Sequence, residues 1–122
     1  AETSQRLRTY KRISSADSEE TLRKIYDEIS DRYGKIPESV ENLFEYARLR
    51  KFAEELRVVS IDKTNDGFAV KLNQDAKISP EKLMDYVQTS GANFSPNGVL
   101  RVKTNGNLIE EAGKVLAQIE NN

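Results

Sequence analysis

Apolar residues recur along this chain at two different periods, and the change falls near Arg57. Before it the spacing is helical. Leu7, Tyr10 and Ile13 predict a helix over 5–14, with Arg6, Arg8, Lys11 and Arg12 on its other faces. The "SADSEE" that follows reads as a break and a restart, with Asp17 and Glu20 spaced like a capping box. A second helix is predicted over 18–33. Leu22, Ile25, Tyr26, Ile29 and Tyr33 form its apolar stripe, and Gly34 is placed to take the left-handed conformation at its end. Pro37 then suits the first turn of a third helix over 37–56, because its missing N–H is not needed there. Val40, Leu43, Phe44, Tyr46, Ala47, Leu49, Phe52, Ala53 and Leu56 cover more than one stripe of that helix. It is therefore expected to be central, with the helical hairpin on one side and the second half of the chain on the other.

Beyond Arg57 the pattern alternates. "VVSIDKT" and "GFAVKLN" read as strands joined through "NDG", and "ANFS" and "VLRVKT" as strands around "PNG". Each hairpin is followed by a helical stretch. Ser79 and Pro80 open "SPEKLMDYVQTS", and Asn107 with Glu110 opens "NLIEEAGKVLAQIE". Leu108, Ala112, Val115, Leu116 and Ile119 line one face of the last helix. The fold class predicted is α+β: an N-terminal three-helix region, then a ββαββα unit whose small antiparallel sheet carries helices on one face. The 122 residues suit one domain, with a helical subregion over 1–56 and a mixed one over 57–122.

Composition narrows the chemistry. Hydrophobic residues make up 37% and charged residues 32%, a soluble globular balance. No apolar run approaches the ~20 residues that span a bilayer. The start of the chain has no apolar signal region, and cysteine is absent, so the expected compartment is the cytoplasm. Without His or Cys, the usual zinc sites and the Ser-His or Cys-His nucleophile pairs cannot be built. No Gly-rich phosphate loop is present, and no cofactor is expected in this chain. The net charge of -1 lacks the basic excess of a dedicated nucleic-acid binder. Arg6, Arg8, Lys11 and Arg12 are candidate phosphate contacts, set against the simpler reading of a solvated helix face. "NFS" at Asn93 matches a glycosylation sequon and reads as a chance match beside a hairpin turn.

The charge map of the second helix is more informative. Glu20, Lys24, Glu28 and Arg32 alternate in sign every four residues, which supports a helix. Asp31 breaks the neighbouring row. It follows Asp27 by one turn and stands in the last turn of the helix, where the macrodipole disfavours an anion by ~0.3–1 kcal/mol. A local cost of this kind asks for a partner. Asp31 either accepts the unfilled N–H groups at the start of the third helix, or forms with Glu28 an acidic patch for an Arg or Lys elsewhere. Glu28 and Asp31 as an acid/base pair of an enzyme have no supporting motif, and no catalytic activity is expected.

The run "LRTYKRISSADSEETLRKIYDEISDRYGKIPESVENLFEYARLRKFAEEL" resembles the C-terminal domain of the bacterial transcription-repair coupling factors. Its marks are "YKRIS.A" over 10–16, "E.SDRYGKIPE..ENL" over 28–43 and "ARLR" over 47–50. The second half matches in length and element order, with few distinctive residues. The resemblance implies a fragment of a large ATP-driven DNA translocase that displaces stalled RNA polymerase and recruits excision repair through UvrA. ATP and Mg would belong to that motor, outside this chain. It implies a non-catalytic regulatory domain that docks in cis on the UvrB-like module, masks UvrA binding and restrains the motor until RNA polymerase is engaged. On this resemblance Glu28 and Asp31 match the acidic positions facing the UvrB-like module, and Arg32, Tyr33, Gly34 and Pro37 form the turn that presents them. Ser30 stands where many relatives are expected to carry an apolar residue, which loosens the packing there but not the acidic pair. The alternative reading is an accessory nucleic-acid-binding domain that uses the basic first helix.

Overall fold

The computed structural model describes the backbone of residues 2–121 and the side chains of residues 7–121. The chain divides into two compact units, residues 1–51 and 52–122.

The first unit is helical. Helix α1 spans Glu2–Ser15, α2 spans Glu19–Tyr33, and α3 spans Glu38–Glu55, its last residues belonging to the second unit. Ser18, one residue later than the predicted Asp17, caps α2. Its backbone is extended and its side chain accepts the Thr21 N–H at 3.1 Å. The predicted stripes supply the core: Ile13, Leu22, Ile25, Ile29, Ile36, Phe44 and Ala47 are buried together, with Tyr26, Val40 and Leu43 against them. Phe44 is fully buried and meets the Tyr26 ring edge-on, centroids 5.1 Å apart at 73°. The Tyr26 hydroxyl donates to Glu41 at 2.5 Å, which holds the phenol proton and raises its pKa.

Periodicity overstated the burial of four residues, Leu7, Tyr10, Tyr33 and, on α3, Tyr46. Of the α1 stripe only Ile13 is buried, while Leu7 is 61% exposed and Tyr10 also reaches solvent. Tyr33, at the end of the α2 stripe, is exposed and lies beneath the Arg32 guanidinium, 5.7 Å from the ring centroid. A stripe states which residues share a face; it does not state how far a neighbouring element covers that face.

The second unit is mixed. Strands β1 (Ser60–Thr64), β2 (Gly67–Lys71), β3 (Asn93–Phe94) and β4 (Val99–Lys103) form an antiparallel sheet in the order β1-β2-β4-β3. Helix α4 (Pro80–Ser90) precedes β3 and α5 (Leu108–Ile119) follows β4. Phe68 and Val70 of β2 and Leu100 and Val102 of β4 are buried on one sheet face. Ala112, Val115, Leu116 and Ile119 of α5 are buried as well, and α5 contacts both β2 and α4. Lys71, Arg101 and Lys103 point the other way, into solvent, as expected for a sheet covered on one side. Ser79 and Asn107 cap α4 and α5 by accepting the N–H groups of Lys82 and Glu110.

Two backbone features set the edges of this unit. Helix α3 ends without a glycine. Arg57 takes φ 60°, its N–H bonds the Glu54 carbonyl, and the Val58 N–H reaches back to Ala53. This is the Schellman pattern, with Arg where glycine is usual. Val58 is thereby spent on the cap, and β1 begins later than its apolar run suggests. The glycine of "NDG" acts differently from its turn signal. Neither Asn65 nor Asp66 has positive φ, and a Cβ on Gly67 would lie 1.9 Å from the Val102 carbonyl oxygen. Gly67 is needed for the close approach of β4.

Candidate functional site

Helix α2 places Glu28 and Asp31 three residues apart, so both carboxylates project from one side, and both are exposed. Gly34 ends the helix with φ 77°, its N–H on the Ser30 carbonyl at 2.8 Å. The turn then buries Ile36 and leads to Pro37, whose carbonyl accepts the N–H groups of Val40 and Glu41, each at 3.0 Å. Pro37 therefore stands at the cap of α3, one position before the helix proper. It has no side-chain acceptor, yet Asp31 does not take that place. Asp31 makes no hydrogen bond or ion pair among the described residues.

Glu28 is differently placed. Arg12 of α1 donates to its Oε2 at 2.6 Å, with both side chains about half exposed (49% and 54%). That hydrogen bond is the main reason the Glu28 carboxyl titrates below the ordinary carboxylate range, with the nearby charges of Arg12 and Arg32 adding to it. The same bond raises Arg12. One carboxylate is thus already salt-bridged across helices and the other is unengaged. Arg8, Thr9, Arg12, Arg32 and Tyr33 line a shallow depression with Glu28, above Ile29, and Asp31 lies outside that lining.

The structure separates the four predicted basic contacts. Arg6 lies outside the described side chains. Arg8 and Lys11 are exposed and unpaired among the described residues. Arg12 is committed to Glu28, so the basic helix and the acidic pair are partly one site. That pairing was not legible beforehand. The two residues are 16 apart, and only the crossing of α1 and α2 brings them together. A second cross-helix link was also missed: Arg48 of α3 reaches Glu19 of α2 at 3.0 Å and Glu45 at 2.8 Å.

Among the described residues no group of His, Cys, Asp and Glu is arranged to hold a metal ion, and no helix is long and apolar enough to cross a membrane. The arrangement offers charge recognition.

Comparison with known proteins bears on this surface. The TRCF domain model matches residues 1–83, which include the whole first unit and the "DRYG" turn. The chain is 32% identical over 98 residues to a transcription-repair-coupling factor of Haemophilus influenzae, covering 80% of this chain and 9% of that protein. It is 29% identical over 110 residues to that of Escherichia coli, covering 90% of the chain and 10% of the relative. The Myxococcus xanthus factor is 32% identical over 108 residues, covering 88% and 8%. The chain thus spans no more than 10% of the length of each of these three relatives. With a family model matched over more than half of its length, the chain belongs to the TRCF domain family.

Proposed function

We propose that this domain is a regulatory module of a transcription-repair coupling factor, and that Glu28 and Asp31 dock it on a basic surface of the UvrB-like module of the same parent. In this reading docking masks the UvrA-binding surface and restrains the motor until RNA polymerase is engaged. The observation that carries it is the state of Asp31: exposed, opposed to the α2 macrodipole, and bonded to nothing among the described residues. An anion kept at that cost without an internal partner is available for an external one.

Charge pairing suits a clamp that must open. Exposed ion pairs are worth ~0–1 kcal/mol each and are screened by salt, so a few of them hold a surface without locking it. Arg12 adds a condition. A docking cation must share the Glu28 carboxylate with Arg12 or displace it, whereas Asp31 is open at once.

The test is the double substitution Glu28→Arg/Asp31→Arg in the full-length coupling factor. UvrA binding should be exposed without the trigger of polymerase, while the domain alone unfolds at nearly the wild-type temperature. Continued masking of UvrA would overturn the reading. A large loss of stability in the domain alone would show instead that the two carboxylates serve the fold.

A further inference from the structure

A second surface of the first unit is built for a different kind of contact. Leu7, Tyr10 and Tyr46 are three of the chain's large hydrophobic residues exposed to solvent, at 61%, 39% and 55%, and all three line one groove of about 560 Å³. Its floor is Ile13, Leu43 and Ala47. Two helices form its walls with the same spacing. Leu7, Tyr10, Lys11 and Ser14 of α1 stand at i, i+3, i+4 and i+7, and so do Leu43, Tyr46, Ala47 and Arg50 of α3. Two ridges of two turns each, ~10 Å long at the rise of an α-helix, leave between them the shape that a third helix fills.

The rim gives the sign of the occupant. Among the described residues Arg8, Lys11 and Arg50 border the groove and no carboxylate does, in a chain with slightly more acidic than basic residues. Arg50 ties the walls together by donating to the Ser14 carbonyl at 2.6 Å, while Arg8 and Lys11 stand exposed and unpaired among the described residues. We infer that this groove receives an amphipathic helix with an apolar face and acidic flanks, supplied by a separate protein. A second copy of this chain fits poorly. A two-fold contact would set Arg8 and Lys11 of one copy against those of the other. Nucleic acid would use the cations and leave the apolar floor unmatched. Arg8 borders both this groove and the depression around Glu28, but the apolar floor and the Tyr10 and Tyr46 walls belong to the groove, so the inference does not rest on the docking function.

The probe is a fluorescent three-turn peptide with Leu at i, i+3, i+4 and i+7 and glutamates on both flanks, with a control in which lysines replace the glutamates. Titrated into the 122-residue chain at low salt, the acidic peptide should bind ~10-fold tighter than the control. Amide shifts should be confined to α1 and α3. Tyr46→Ala, a change at an exposed position, should weaken binding, and Lys11→Glu should remove the preference between peptides. Arg101→Gln, on the open sheet face of the second unit, should leave both unchanged. Equal binding of the two peptides, shifts elsewhere, or indifference to Tyr46→Ala would overturn the inference. So would sedimentation showing a dimer that Tyr46→Glu separates, or a DNA duplex that binds through Lys11 regardless of Tyr46.

Discussion

The two units join their elements by different means. In residues 52–122 the backbone does most of the joining. The ladders β1-β2-β4-β3 register every strand, and the Asn121 and Ser79 N–H groups bond Lys77 and Ile119, tying the end of α5 to the segment before α4. The ion pairs there are local, such as Lys114 with Glu110 and Glu111, or long, such as Arg57 with Asp75 at 3.9 Å. Among the described residues of 1–51 no backbone ladder links the helices, and side chains cross between them to carboxylates: Arg12 to Glu28, Arg48 to Glu19, Tyr26 to Glu41. Exposed large hydrophobic residues occur in both units: Leu7, Tyr10, Tyr33 and Tyr46 in the first, Val59, Met84 and Phe94 in the second. Exposed ion pairs contribute little to stability. The apolar core around Phe44 is therefore expected to carry the first unit, as that around Phe68 carries the second.

The comparison breaks first if stability does not follow the apolar cores. Phe68 and Phe44 are each fully buried, one in each unit. Phe68→Ala and Phe44→Ala should each cost ~3–5 kcal/mol, measured by urea denaturation followed by circular dichroism. A much smaller cost for Phe44→Ala would mean that the cross-helix ion pairs carry the first unit, against their expected weakness.

The next effect tests backbone against side chain in the second unit. Gly67→Ala places a methyl within 2.9 Å of the Lys103 Cα and closer still to the Val102 oxygen. The β2–β4 ladder must shift, at ~1–3 kcal/mol in the same denaturation experiment. A neutral result would show that this end of the central β2–β4 ladder is loose enough to absorb a methyl.

Much of the architecture was legible because local signals and burial agreed. The stripes and caps of α4 and α5 fell where Ser79, Pro80, Asn107 and Ala112–Ile119 place them. Both hairpins formed at their turn sequences. The failures share a cause, since each depends on a neighbour distant in sequence. The role of Gly67 is decided by β4, the exposure of Leu7 and Tyr10 by what covers α1, and the state of Glu28 by Arg12. Asp31 was legible as an anomaly because its cost is local to one helix end. Whether it caps α3 depended on the geometry of the Gly34–Pro37 turn, which no spacing rule contains.

A smaller gain is available where α3 ends. Arg57 holds a left-handed conformation that costs an L-residue ~1–2 kcal/mol, partly offset by the greater chain entropy a glycine would lose on folding. Its pair with Asp75 is long and exposed and offers little to lose. Arg57→Gly should therefore stabilise the chain by ~0.5–1 kcal/mol, seen as a raised thermal midpoint. A loss would mean that the Arg57 side chain contributes more than its contacts suggest.

The smallest effect sharpens the contrast between the two carboxylates of the candidate site. The folded chain holds Glu28 below its ordinary pKa, chiefly through the Arg12 hydrogen bond. A depressed carboxylate contributes stability that is present above its unfolded pKa and disappears as pH falls through its folded value. The contribution should fade just below the ordinary carboxylate range, and its size is limited by the exposure of both partners. Arg12→Gln should return the Glu28 midpoint to that range, read from the carboxyl carbon shift in an NMR titration, and should flatten the acid limb of stability slightly. An unchanged midpoint would mean that the cross-helix pair is seldom formed in solution. Glu28 would then be as open to a partner as Asp31, and the docking cation would meet two free carboxylates in place of one.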